Sequence, residues 1–298
     1  MVHLAVLKKE VIQYLEPEPG ENFVDATIGE GGHTREILKK NYPGKVLGIE
    51  IDSKLYKILK EDLKRWPEKE RKRLILVNDS YANLDQIVKK KGLKKIAGVL
   101  FDLGISSWHL EKSKRGFSFL KKEPLIMNYN LKKNPLSAKE IINSWPIEKI
   151  EKIIREYGQE RFAKKIAKKI EEARKIAPIE NTLQLVEIIK RAIPKRYRNQ
   201  RIHFSTRTFQ ALRIATNNEL ENLKKGLIKA WQVLEKGGRL VVISFHSLED
   251  KIVKEFFIRK VKKGEIKILT KKPIVPTAQE IKLNPRSRSA KLRAGLKI

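Results

Sequence analysis

The sequence has no cysteine, only two methionines, and no apolar run near the roughly 20 residues that a membrane-spanning helix requires. Without cysteine there are no disulfides and no thiolate-bound metal, structural zinc included, so any chemistry rests on oxygen and nitrogen groups. The five histidines, His3, His33, His109, His203 and His246, never fall at the i, i+4 spacing that sets two ligands on one helix face, so no metal site is expected. The opening segment MVHLAVLKKEV has too short an apolar stretch for a secretory signal and no small-residue cleavage site. A cytoplasmic protein without a membrane partner is expected.

Acidic residues are also scarce: 35 Asp and Glu face 66 Lys and Arg, a net charge of +31. A field of that sign concentrates polyanions and makes their binding steeply salt-dependent, so nucleic acid is the natural partner. The abundance of Lys, Glu and Ile also suits a thermophile's surface ion pairs, which explains many charges but not the excess of one sign. With 41% hydrophobic residues over 298 positions, the chain can bury one large core or two smaller ones.

The first hundred residues alternate short apolar strands with charged helical segments, the pattern of a parallel sheet covered by helices. Residues 22–28, 45–52, 73–79 and 96–104 read as strands. Residues 33–40, 53–66 and 84–91 read as helices, with Ser53 and Asn83 as N-caps of the latter two. After Leu110 the alternation stops, and a helical pattern broken by prolines runs to about Ser205. Its clearest helix spans 147–177, with Gly158 as a point of division. From Thr206 a helical stretch leads into RLVVISF (239–245), a buried strand that returns the chain to its first sheet. A helix over 246–261 and strands over 266–270 and 287–298 complete the reading, which divides the chain into 1–110 with 206–298, and an inserted helical domain, 111–205.

The first strand ends in DATIGEGGHT, 25–34, where glycines 29, 31 and 32 occupy a strand-to-helix turn that lets bare backbone approach a ligand. A tight structural turn has the same appearance. About 20 residues on, the second strand ends in Glu50, where doubly wound folds bind ribose hydroxyls. Asp52 can share or replace that role, and Asp79 and Asp102 mark two further strand ends, although helix capping is the commoner use of such acids. A dinucleotide site expects a third glycine where this chain has Thr34. ISFHSLED (243–250) brings Ser, His and acid together but lacks a Gly-x-Ser-x-Gly elbow, and reads as a helix cap with an acidic first turn.

DATIGEGGHT, DLGISS (102–107), RGFSF (115–119), TRTFQALRIATN (206–217), ISFHSLEDKIVK (243–254) and NPRSRSAKLR (284–293) occur in that order along the chain. Together they resemble the RsmH/MraW family, bacterial enzymes that methylate N4 of a cytidine in the decoding region of 16S ribosomal RNA in the small ribosomal subunit. The resemblance implies an α/β fold, a Rossmann-like class I methyltransferase sheet with an inserted all-helical domain, and S-adenosylmethionine as methyl donor. It implies cofactor contacts at Gly31, Gly32, His33, Glu50, Tyr81, Asp102 and His109. Glu50, Tyr81 and His109 stand where the family commonly has Asp, Phe and Gln. The segment PLIMNYN (124–130) replaces the family's acids and arginine, so no catalytic role is expected there.

Cytosine N4 is a poor nucleophile because its lone pair is delocalised into the ring, and an acceptor for the amine hydrogens offsets the charge that develops on it. Asp102 is the catalytic candidate, with binding of the cofactor's methionine end as its other reading. Ser106 and Ser107 read as polar contacts or as loop and cap residues. The target base has to leave its stack, which calls for a grip on the flanking backbone. From Lys190 to Asn218 there are eight Lys or Arg and no acid, with Tyr197, His203, Phe204 and Phe209 interleaved. Arg196, Arg198, Arg201 and Arg207 are therefore expected to bind RNA, whereas Phe204 and Phe209 read first as core. Residues 281–298 form a second acid-free stretch. There Arg286 and Arg288 are expected to meet phosphate, while Ser289, Lys291 and Arg293 also fit the outer face of an edge strand. The rival to an enzyme is a noncatalytic RNA-binding ribosome-assembly protein with a degenerate cofactor site.

Overall fold

A computed structural model describes residues 5–198 and 201–298. His3 and the start of the N-terminal segment lie outside the described residues. The chain forms two compact units, 1–104 with 220–298, and 105–219.

The first unit opens with α1 (Lys8–Leu15), β1 (Asn22–Asp25), α2 (Gly32–Lys40), β2 (Val46–Ile49), α3 (Ser53–Asp62), α4 (Glu68–Arg71), β3 (Leu74–Val77), α5 (Leu84–Lys90) and β4 (Ile96–Asp102). The second contains α6 (Ser107–Glu111), α7 (Ala138–Ser144), α8 (Ile147–Glu156), α9 (Ala163–Ile176), α10 (Thr182–Ala192) and α11 (Thr206–Asn217). The chain re-enters the first unit through α12 (Glu219–Val233), then β5 (Leu234–Ser244), α13 (Ser247–Lys262), β6 (Ile266–Ile268), α14 (Ala278–Leu283) and β7 (Lys291–Lys297).

The seven strands form one sheet in the order β3-β2-β1-β4-β5-β7-β6, parallel from β3 to β5, with β7 antiparallel to both its neighbours. Alternate strand residues go to opposite faces, and both faces are buried, which explains the continuous apolar runs. Val24, Val99, Phe101, Leu240 and Val242 pack with residues of α5, α12 and α13. Phe23, Leu100, Val241 and Ile243 pack with α1, α2 and α3 on the other side. Because β1 leads outward to β2 and β3 while β4 leads the other way, the strand order reverses between β1 and β4. Open α/β sheets bind ligands at the carboxyl ends of strands at such a reversal.

Several boundaries differ from the sequence reading. The 147–177 segment is two helices, α8 and α9, parted where Gln159 takes a left-handed φ of 49°, and beside it a Cβ on Gly158 would lie 2.6 Å from the carbonyl oxygens of both Ile154 and Arg207. Helix α11 crosses α8 at that point, so no side chain fits. The helical stretch after Thr206 breaks at Asn218, whose φ is 50°. The first of its two pieces, α11, packs on α7 and α8 and belongs to the helical unit, as does α6. The compact units thus divide after Gly104 and after Glu219, whereas the sequence reading placed the divisions near 110 and 206. Strand β7 lies between β5 and β6 rather than at an edge, and its Arg293 makes a two-pronged ion pair with Asp250 on α13. Although burial disfavours its charge, Arg293 and Lys291 hold the Asp250 carboxyl below the usual range.

Candidate active site

The site is built at the carboxyl ends of β1, β2 and β4. Gly31 is the N-cap of α2 with a left-handed φ of 80°, and no side chain caps this helix start. A Cβ on Gly31 would sit 2.7 Å from the ring of Trp66, so both the turn and its packing require glycine. The N-cap residue therefore offers no side chain to the first N–H groups of α2, and a helix start is a place where negative charge is favoured.

Glu50 follows β2 and is buried. Its carboxyl accepts the backbone N–H of Asp52 at 2.7 Å and of Gly29 at 3.2 Å, tying β2 to the glycine turn. Burial, reinforced by the neighbouring Asp52 and Asp25, pushes its pKa up to about 8. Asp52 itself is the N-cap of α3, accepting from the N–H groups of Lys54 and Leu55. Capping is thus its role, and Ser53, expected as the cap, is the first helical residue. Ser80 rather than Asn83 provides the side-chain cap after β3, accepting from the N–H of Ala82 in the 3-10 turn 81–83.

Asp102 ends β4. Its N–H donates to the Thr27 hydroxyl at 2.6 Å, its Oδ2 lies 3.5 Å from Nε2 of His33, and its Oδ1 is buried with no hydrogen-bond partner among the described residues. Among the described residues both ring nitrogens of His33 likewise lack a hydrogen bond, the 3.5 Å contact being too long for one. Asp25, at the end of β1, accepts from the Thr34 hydroxyl at 2.6 Å and from the N–H of Thr27. Burial raises its pKa against the opposing effect of Thr34 and His33. Sequence reasoning passed over Asp25, Thr27 and Thr34; the available signal was their position at either end of the glycine motif.

Tyr81, in the turn after β3, stands edge-on to Phe101 of β4, with ring centroids 5.4 Å apart. The absence of a side chain at Gly226 lets α12 lie directly on the Tyr81 ring. Gly31, Gly32, His33, Glu50, Tyr81 and Asp102 all belong to one unit, and the contacts of His33 with Asp102 and of Glu50 with Gly29 join the glycine turn to the ends of β2 and β4. His109 belongs to the helical unit. Its Nδ1 accepts from the N–H of Ser106, the N-cap of α6, and its ring packs against Trp108, Phe117 and Tyr129.

The cation-rich segments are less uniform than the sequence suggests. Arg196, Arg201 and Arg207 are exposed, and Arg198 is half-buried, donating to the Ile193 carbonyl. Arg213 is held by both carboxylate oxygens of Glu219 and is not available to phosphate. Arg286 and Arg288 are exposed in the turn 285–289 of the other unit. Phe209 is core, whereas Phe204 is half-buried. The 124–130 segment is a structural hub: Asn217 donates to the Met127 carbonyl and accepts from the N–H of Tyr129, and Arg115 donates to the carbonyls of Asn128 and Tyr129. The Ser-His-acid cluster is a capping box, with His246 accepting from the N–H of Glu249 and Glu249 accepting from the N–H of His246.

A profile of the MraW methylase family matches residues 1–298. Among similar proteins, the ribosomal RNA small subunit methyltransferase H of a Sulfurihydrogenibium species is 46% identical over 296 residues, covering 99% of each chain. The protein of the same name from Thermotoga neapolitana is 45% identical, covering 98% of this chain and 95% of its own. The solved structure of a candidate rRNA-methylase from Clostridium thermocellum aligns over 100% of both chains with a TM-score of 0.50 at 14% identity, a likeness of fold.

Proposed function

The chain belongs to the MraW methylase family, and from that premise we propose that it transfers a methyl group from S-adenosylmethionine to N4 of a cytidine in the decoding region of 16S ribosomal RNA, within the small ribosomal subunit and in the cytoplasm. The observation that carries the reading is the group of unsatisfied polar atoms at the strand reversal. Among the described residues, Asp102 Oδ1 and both nitrogens of His33 are buried without hydrogen bonds, beside a helix start with no side-chain cap. Buried polar atoms left this way are costly unless a ligand completes them. A noncatalytic RNA-binding protein has no use for such a crevice.

In this reading the residues fit the cofactor. Glu50 receives ribose hydroxyls, Tyr81 offers a ring to the adenine, and the first N–H groups of α2, with His33 and Asp102, receive the methionine end. The bound cofactor supplies an electrophilic methyl group on a positively charged sulfur. Asp102 would accept a hydrogen from the cytosine amine, returning lone-pair density to N4, and would take up the proton released as the N–C bond forms and the methyl's bond to sulfur breaks, the sulfur leaving as a neutral thioether. No covalent enzyme intermediate is needed. Arg196, Arg198, Arg201 and Arg207 bind phosphates of the RNA backbone, and Arg286 and Arg288 add a second group of cations.

Labelled S-adenosylmethionine should transfer its methyl to assembled small subunits and not to free nucleosides. Nuclease digestion and mass spectrometry should place the label on N4 of one cytidine. Label on protein, or on a different atom of the RNA, would overturn the assignment.

A further inference from the structure

Three rings from two distant chain segments form a stacked series in the helical unit. The Phe119 and His203 rings lie 4.5 Å apart and within 8° of parallel, and His203 and Phe204 lie 4.2 Å apart at 29°. The series is anchored inward by Phe119, which stands edge-on to the buried Phe209 at 5.5 Å. Its outer member is Phe204, which among the described residues touches no ring except His203 and remains half-buried. Core aromatics are normally covered on both faces; here the neighbours Leu120 and Ile202 are themselves 76% and 48% exposed.

We propose that this series is a stacking platform for one unpaired RNA base, received on the outer face of Phe204. The proposal rests on the reading of the substrate as RNA. His203 accepts the N–H of the buried Ser205 on Nδ1. Burial lowers its pKa, so the imidazole is neutral at physiological pH, and an uncharged ring stacks without losing the hydration of a charge. Arg201 and Arg207 are exposed on either side of the rings in sequence, and no acid occurs between Lys190 and Asn218. Separated cations for phosphates around a flat ring for a base are the features that single-stranded RNA recognition uses, whereas a protein partner would not require the excess of positive charge.

The test uses the full chain, a short single-stranded RNA carrying one 2-aminopurine, and the variants Phe204→Leu and Phe204→Trp. Fluorescence anisotropy reads affinity, and quenching of 2-aminopurine reads stacking. Loss of the ring in Phe204→Leu should weaken binding by about tenfold, within the range of base–aromatic stacking, and abolish the quenching. The salt slope should stay unchanged because no cation is removed. Phe204→Trp should restore both signals. Unaltered binding and quenching in Phe204→Leu, or a loss that Phe204→Trp does not restore, overturns the platform. S-adenosylmethionine binding and thermal melting of each variant show whether the fold is intact. Wild-type protein that fails to bind RNA would remove the substrate reading along with the platform; wild-type binding that is indifferent to Phe204 removes the platform alone.

Discussion

The imidazole of His33 and the carboxyl of Asp102 meet at 3.5 Å, one from the first turn of α2 and the other from the end of β4, and Oδ1 of Asp102 has no hydrogen-bond partner among the described residues. The pairing sets an imidazole against a carboxyl at the strand reversal. An isosteric Asp102→Asn change replaces one acceptor oxygen with a donor that opposes the amine hydrogens of cytosine. Single-turnover methyl transfer at saturating S-adenosylmethionine should fall by about 10²- to 10³-fold, the usual loss for one charge-stabilising group. A rate within about threefold of wild type would remove Asp102 from catalysis.

With Glu50 as the proposed ribose ligand, cofactor affinity should depend on pH. Its pKa of about 8 leaves the carboxyl largely protonated at neutral pH, whereas ribose hydroxyl donors favour the charged form. S-adenosylmethionine should therefore bind more tightly as pH rises from 6 towards 9, and binding should release a proton. Calorimetry at each pH, in buffers of different ionisation enthalpy, measures both effects. Glu50→Ala should weaken binding and flatten its pH dependence; a dependence that survives the substitution points to a different group.

Gly31→Ala places a Cβ 2.7 Å from the Trp66 ring at a left-handed backbone position. The change should destabilise the first unit by about 2–4 kcal/mol, combining left-handed strain with overpacking. Adding Trp66→Leu should recover the packing part only, because the backbone strain remains. Denaturant melts of the single and double variants separate the two contributions.

Asn217 holds the 124–130 segment through the Met127 carbonyl and the Tyr129 N–H, and also donates to the Arg213 carbonyl. Asn217→Ala leaves these buried groups unsatisfied, at a cost of about 2–4 kcal/mol. Hydrogen exchange should accelerate first around residues 127–129 of the helical unit. Uniform exchange rates across the chain would show that the clamp is unimportant.

Replacing Arg196, Arg201 or Arg207 by Ala should each reduce the slope of log affinity for RNA against log salt by about 0.7 to 0.9. Arg213→Ala should leave the slope unchanged and lower stability instead, since its guanidinium is spent on Glu219. Binding isotherms between low and physiological salt distinguish the two kinds of arginine.

The apolar alternation of the first hundred residues, the glycine turn after β1 and the acids at strand ends were legible from the sequence because each depends on neighbours within a few positions. The ordered motifs were legible for the same reason, and the family followed from them. Only the tertiary structure showed that Asp52 caps α3 while Glu50 is buried against the glycine turn, and that Arg213 and Arg293 are neutralised by acids. It also showed that α11 belongs with the helices before it, and that Phe119 stacks on His203. The distinction is physical: spacing along a chain sets which face of a strand or helix a side chain occupies. Which partner desolvates it, charges it or pairs with it comes from residues far away in sequence, and that pairing is what makes one carboxyl a helix cap and leaves another buried without a hydrogen bond among the described residues.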